Sequence, residues 1–433
     1  MTSTFNLSGK KVLIACVPAD GHFNPLTGLA MHLRELGAEV RWYTSVIFSK
    51  KLEQLGIPHY PFKKAQDINM ENLDRVFPNR KDIADPIKKI NFDLIEVFGK
   101  RGEEYYADLQ EIYPEFPFDL VVVDCGFSAI PFLKHKMKIP VLAIGIIPLM
   151  ASSVDLAPYG MAMLPPANAE EKALYAQMRE QAVNFMLKES IDVFNDALTR
   201  HGVPIGGLML DTLVRDADLL LQIGSPGFEY KRSDIGKNVR FIGGLYSYAS
   251  NKPRTKWFDE RLNTYKKVIL VTQGTVEKDL SKLVEPTLEA YKNTDTLVIV
   301  TTGYNGTAEL RARYKADNII IEDYIPFAEV MPHADVYVTN GGYGGTLLSI
   351  QHNLPMVAAG VHEGKNEICT RIGYFKLGVN LGTETPTVQQ IWEGVESVLN
   401  NTSFVQNIER VAKEINSYDA QTLCVQHIQE LLN

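Results

Sequence analysis

With 433 residues, 45% of them hydrophobic and 22% charged, the chain has the composition of an ordinary globular protein. It is longer than the roughly 250–300 residues at which a single hydrophobic core stops growing, so two domains are expected. A formal net charge of −8 argues against a protein that grips nucleic-acid backbones through basic stripes.

Four cysteines (Cys16, Cys125, Cys369 and Cys424) lie far apart without a CxxC pair, so neither a zinc site nor a disulfide framework is indicated. The N-terminal "MTSTFNLSGKK" lacks the apolar core of a signal peptide. The longest apolar run, Ile139–Ala151, is too short to span a bilayer and holds two prolines. A cytoplasmic protein with no membrane insertion is the expectation.

The opening segment reads as strand, loop, helix, strand. "VLIACV" is an apolar run suited to a strand buried on both faces. Asn24 is the predicted N-cap of the following helix, with Pro25 in its first turn and Gly37 just past its end. Leu26, Leu29, Ala30, Leu33 and Leu36 recur at helical spacing and form its apolar face. "AEVRWYTS" then reads as a second strand, parallel to the first through a right-handed crossover. "FDLVVVDC" and "PVLAIGI" continue the series, and Ala167–His201 is rich in helix formers.

The polar, proline-bearing stretch 246–265 is the predicted linker between an N-terminal domain (1–245) and a C-terminal domain (266–415). A second alternating series opens at "KKVILVTQGTV" and runs through "TLVIVTTG", "NIIIEDYIP", "VYVTNGG" and "PMVAAG". Residues 416–433 are expected to form a last helix that packs back on the first domain. The predicted class is α/β: two doubly wound, Rossmann-like domains facing across a cleft, with ligands at the carboxyl ends of their strands.

Four glycines (Gly341, Gly342, Gly344 and Gly345) crowd into five residues directly after the strand "DVYVTN". A helix of about two turns is predicted to begin near Thr346. Its free N–H groups and dipole suit an anion, although glycines also make plain tight turns. The loop is neither a Walker loop, since no lysine follows, nor a GxGxxG fingerprint. "VTQGTV" ends another strand with Gly274 and Thr275 facing the same cleft, and two converging loops suit a diphosphate. The sole DxD, Asp216–Asp218, reads as a solvated helix end, and no metal ligation is apparent.

"VTNGGYGGTLLSIQHNLPMVAAG", "GHFNP" and "EDYIPFAEVMPHADVYVTNGG" together resemble the nucleotide-sugar signature, the GHxxP motif and the base-to-phosphate run of the GT-B glycosyltransferases related to macrolide and plant-metabolite transferases. The resemblance spans essentially the whole chain. It lies nearest a bacterial branch that includes flavonoid glycosyltransferases, some using deoxythymidine-diphosphate rhamnose. It implies a nucleotide-sugar cosubstrate, no other cofactor, and a small-molecule acceptor. It makes His22 the general base that takes a proton from the acceptor hydroxyl, a task suited to a group titrating near neutrality. Asp124 is implied as its carboxylate partner, with Asp20 competing for that role and an N-cap the alternative for Asp124.

For the donor, the resemblance sets Tyr324 where relatives stack a tryptophan on the base; a half-buried strand-end aromatic is the alternative. It gives the base edge to the backbone of Ile325 and the phosphates to Thr275, Asn340, Gly342, Gly345 and Thr346. The pattern departs from the family in three places. Asn340 replaces a histidine. Leu348 stands where many uridine-diphosphate enzymes clasp the ribose with a glutamate, which leans toward a deoxyribose donor unless Glu367 replaces it. The sugar-gripping Asp-Gln pair aligns with Gly364 and Lys365, with Glu363 one position off, consistent with a 6-deoxyhexose. The implied reaction is inverting, metal-independent O-glycosylation of a flat phenolic acceptor. A UDP-glucose donor of the same family is the first alternative and a nucleotide-sugar isomerase on the same scaffold the second. The sequence leaves the oligomeric state open.

Overall fold

The fold comes from a computed structural model that describes residues 5–248, 257–274, 277–362 and 364–433. The predicted phosphate ligand Thr275, the sugar-site Glu363 and linker residues 249–256 therefore lie outside the described residues.

Two sheets carry the molecule. The first has seven parallel strands in the order β3-β2-β1-β4-β5-β6-β7. These are β1 (Lys11–Ala15), β2 (Glu39–Thr44), β3 (His59–Pro61), β4 (Leu120–Asp124), β5 (Val141–Gly145), β6 (Leu219–Gln222) and β7 (Val239–Phe241). The second has six parallel strands in the order β10-β9-β8-β11-β12-β13. Its members are β8 (Lys267–Thr272), β9 (Thr296–Thr301), β10 (Ile319–Glu322), β11 (Val336–Thr339), β12 (Met356–Ala358) and β13 (Gly378–Asn380). The central strands are continuous apolar runs because helices cover both faces, which leaves no wet side to select polar residues. β3, β7, β12 and β13 have three residues each.

The order of each sheet contains a reversal. The chain winds outward from β1 through β2 to β3, then returns to the other side of β1 at β4; β8 and β11 repeat the arrangement. At such a switch point the segments leaving the two neighbouring strands depart toward opposite faces, and a crevice opens at the strands' carboxyl ends.

Local boundaries differ from the sequence reading in instructive ways. The first helix runs Asp20–Glu35, with Ala19 rather than Asn24 at its N-cap. Pro25 thus sits inside the helix, where it has no N–H to offer the Gly21 carbonyl. The early start follows from the chain leaving β1: the Val17 N–H is held by Asp124 and the Ala19 N–H by the Val17 carbonyl. The glycine-loop helix likewise begins early, at Tyr343, and runs to Gln351. β10 stops at Glu322, leaving Asp323, Tyr324 and Ile325 in a loop. Asp216 and Asp218 are not a solvated helix end. Asp216 is 4% exposed and paired with Arg215, and Asp218 bonds Lys134 and the Val141 N–H.

The final helix, Ala420–Leu432, lies against the Asp20–Glu35 helix and β4, burying Cys424, Val425 and Ile428. All four cysteines are buried and unpaired, and burial pushes each thiol up to about 12. No helix among the described residues is long and apolar enough to cross a membrane.

A buried ionic bridge ties the two sheets' domains together. Arg371, 1% exposed on the helix Lys365–Tyr374, reaches Glu229 of the first domain at 2.7 Å and Glu367 of its own helix at 2.8 Å. Its guanidinium also lies 4.2 Å over the Tyr230 ring. Glu229 in turn accepts the Leu149 N–H at 2.9 Å, so the loop after β5 is held by the same bridge. Removing one member of a buried charge network strands its partners and costs about 3–5 kcal/mol. Arg371→Ala is therefore expected to lower the thermal unfolding midpoint by several degrees. An unchanged midpoint would show that the bridge does not hold the domains.

Candidate functional site

Both switch points carry polar residues at the carboxyl ends of their strands. At the first, β1 delivers the turn that leads to His22, and β4 ends on Asp124. His22 occupies the first turn of the Asp20–Glu35 helix, its side chain 21% exposed. Its Nδ1 lies 2.7 Å from Oδ1 of the fully buried Asp124.

The other contacts of that carboxylate settle the proton's place. Asp124 accepts the Gly126 N–H at 2.7 Å and the Val17 N–H at 2.8 Å. A carboxylate surrounded by donors is an acceptor only, so His22 gives it the Nδ1 proton and keeps Nε2 as a lone pair. Asp20, the competing partner, instead pairs with Lys51 at 2.5 Å, part-exposed, away from the imidazole.

At the second switch point, the loops after β8 and β11 converge. A Cβ on Gly274 would lie 3.8 Å from the Asn340 amide, and Asn340 Nδ2 donates to the Gln273 carbonyl. Asn340 therefore staples the two loops together instead of presenting that donor to a ligand. Gly341 is obligatory: its φ is 81°, and a Cβ there would sit 2.4 Å from Cys369 Sγ. Gly342 caps the glycine-loop helix and Gly344 opens on empty space. A helix start of this kind leaves its first N–H groups without intrahelical acceptors, at the positive end of its dipole. Gly345 packs against the Tyr337 hydroxyl. Thr346 is fully buried, and its hydroxyl is spent on the Gly342 carbonyl at 2.9 Å.

Lys365 starts the next helix beside this loop; a Cβ on Gly341 would lie 3.7 Å from the Lys365 Cβ. Glu367 is not a free carboxylate. It is 5% exposed, accepts the N–H groups of Gly160 and Ala162 at 2.8 Å each, and pairs with Arg371. Its role is to bolt the first domain's 157–164 loop to the second domain, assisted by Asn366, which donates to the Gly160 carbonyl. Leu348 rests partly buried against the core and brings no polar group. Tyr324 is 46% exposed in the loop after β10, while the Ile325 side chain is buried beneath it.

In the first domain Phe127 is core, stacked on Tyr105, and Phe77 packs edge-on against Phe92. Met150 does line an apolar cavity, with Leu94, Tyr159, Ile191 and Met209. Two residues at the carboxyl edge of the second sheet, Gln273 at the switch point and Tyr304 after β9, carry no motif in the sequence. Gln273, 3% exposed, has an Oε1 with no partner among the described residues. Tyr304 is 75% exposed with a φ of 70°. The flanking glycines of "TGYNG" were the only signal for Tyr304.

Comparison with known proteins places this geometry. The family model described as erythromycin biosynthesis protein CIII-like, C-terminal domain, matches residues 285–431. The chain is 32% identical to 4'-demethylrebeccamycin synthase of Lentzea aerocolonigenes, over 98% of this chain and 100% of that protein. It is 30% identical to UDP-glucosyltransferase 1 of Beauveria bassiana (strain ARSEF 2860), over 94% and 92%. The crystal structure of the glycotransferase of kitacinnamycin superposes with a TM-score of 0.76 at 18% identity, covering 98% of this chain and 99% of that one. None of the three is named an isomerase.

The His22–Asp124 bond sets the imidazole tautomer, and this is testable by 15N NMR. Neutral His22 is expected to carry its proton on Nδ1, and Asp124→Asn to shift the population toward the other tautomer. An unchanged tautomer in Asp124→Asn would remove the carboxylate from that role.

Proposed function

The chain belongs to the GT-B nucleotide-sugar glycosyltransferases, and on that premise we propose that it is an inverting O-glycosyltransferase acting on a flat, apolar or phenolic acceptor such as a flavonoid. The observation that carries the reading is the 2.7 Å His22–Asp124 contact at one switch point, opposite a glycine-rich helix start at the other. A hydroxyl is a poor nucleophile until its proton is taken, and Nε2 of His22 is the lone pair available to take it. The acceptor oxygen then bonds to the anomeric carbon as that carbon's bond to the diphosphate breaks, and one displacement inverts the centre. Asp124 stabilises the imidazolium that forms. The departing diphosphate carries negative charge toward the N–H groups at the start of the glycine-loop helix and toward Lys365, so these donors perform the stabilisation without requiring a metal.

For the donor, the geometry favours deoxythymidine diphosphate linked to a 6-deoxy sugar such as rhamnose. Leu348 offers nothing to a 2'-hydroxyl, and Glu367, its one substitute, is already committed to Gly160, Ala162 and Arg371. A site lacking a partner for that hydroxyl gains nothing from its presence. UDP-glucose is the second reading, favoured by the name of the fungal relative.

Calorimetry with dTDP and UDP separates the two: tighter dTDP binding is expected, and tighter UDP binding would overturn the deoxyribose reading. Leu348→Glu is expected to shift preference toward UDP. His22→Ala is expected to lower transfer by about 10²–10⁴-fold while nucleotide binding persists. Full transfer by His22→Ala would overturn the assignment of the base.

A further inference from the structure

We propose that Tyr304 is the second wall of the donor's nucleobase slot, with Tyr324 opposite; this rests on the nucleotide-sugar reading above. Folding alone does not explain the exposed ring of Tyr304. The loop from β9 to the helix Thr307–Arg313 holds three left-handed residues in four: Gly303 at φ 64°, Tyr304 at φ 70° and Gly306 at φ 63°. Glycine adopts that conformation freely, whereas a side chain there is strained. Tyr304 accepts the strain while burying almost nothing, since it is 75% exposed. A strained residue holding a large ring out into solvent, among the loops of a binding cleft, points to a ligand for that ring.

The loop is held firmly in place. The Tyr304 N–H donates to the Asp323 carbonyl at 3.3 Å, so Tyr304 is tied to the residue next to Tyr324. Thr307 donates to the Asp323 carboxylate at 2.6 Å and shares a 2.6 Å hydroxyl contact with Thr302. Asn305 reaches the Lys278 carbonyl, and a Cβ on Gly303 would lie 3.5 Å from the Gly274 carbonyl. The Tyr304 loop is thereby braced on both sides, against the Tyr324 loop and against the loop after β8.

Strand order then dictates what reaches each ring. Reading across the sheet, β11 carries the glycine loop, β8 carries Gly274, β9 carries Tyr304 and β10 carries Tyr324. Three strand spacings of about 4.8 Å separate the ends of this row, about 14 Å in all. A nucleoside diphosphate laid along it, with its phosphates at β11 and β8, brings its base to β9 and β10. There the two aromatic rings, 75% and 46% exposed, stand on adjacent, hydrogen-bonded loops. Stacking between such rings accepts any base and ignores the sugar's 2'-hydroxyl. Slot and ribose contacts are therefore separable: the rings supply affinity, and the ribose neighbourhood supplies the choice between deoxyribose and ribose.

The test compares Tyr304→Gly with Tyr304→Phe. Glycine suits a φ of 70° and removes the ring without straining the loop. Calorimetry would use UDP, dTDP and inorganic pyrophosphate as probes. Tyr304→Gly is expected to weaken both nucleotides by about tenfold or more while pyrophosphate affinity holds. Tyr304→Phe is expected to bind all three like the unsubstituted protein. Undiminished nucleotide binding by Tyr304→Gly would overturn the slot and leave the donor reading intact. Loss of pyrophosphate in the same proportion would overturn it too, by assigning the effect to the loop's fold. If the unsubstituted protein bound neither nucleotide, the donor reading itself would fall.

Discussion

In each sheet the chain reverses its winding direction once, and the placement of the whole site depends on that constraint. Parallel strands all end at the same edge, but only at the reversal do neighbouring strands send their following segments to opposite faces. The crevice that results is where a backbone can turn without being roofed over by a helix. His22 and Asp124 occupy the reversal of the first sheet, and Gly274 and the glycine loop that of the second. The site therefore follows from topology before any side chain is considered.

The two crevices must also face one another, and packing across the interface arranges this. Arg371 is shared by Glu229 and Glu367, and Glu367 also fastens the 157–164 loop of the first domain. Tyr343, between the two glycine pairs, passes its hydroxyl to the Ile223 carbonyl at 3.1 Å. The residue that separates the glycines is thus an anchor into the opposite domain, and the phosphate-type loop cannot shift without disturbing the interface. The final helix adds an apolar contact from the chain's other end, placing Cys424, Val425 and Ile428 against the first domain. Buried charge is a costly way to join surfaces, but it gives one orientation where apolar contact alone would allow several.

A division of labour follows within the second domain. On the proposed reading the anion work falls to backbone N–H groups and Lys365, since an Asn340 N–H and the Thr346 hydroxyl already serve the Gln273 and Gly342 carbonyls. Asn340 and Thr346 are structural staples, and what they contribute is rigidity. Preorganised N–H donors need no rearrangement when charge develops on a leaving group. Exposed aromatic rings at the far end of the same strand row do the opposite, offering broad surface and little directionality.

Much of this was legible in the chain itself. Continuous apolar runs alternating with helical periodicity specify parallel strands between helices, because burial on both faces forbids polar residues. Glycines bunched after a strand specify a bare turn. These are local signals, carried by residues within a turn or two of one another. What tertiary structure decided are pairings across distance. Asp124 is 102 residues from His22, and nothing local told it from Asp20, two residues away, until β4 was laid beside β1. Glu367 read as a stand-in for the ribose-clasping glutamate because its partners Gly160 and Ala162 lie more than 200 residues earlier and in the other domain. Tyr304 gained its place only when β9 came to lie between β8 and β10. Periodicity and turn chemistry are written into short stretches of sequence. The partner of a buried charge is set by which strands and helices pack together, and only the folded chain brings those groups within reach.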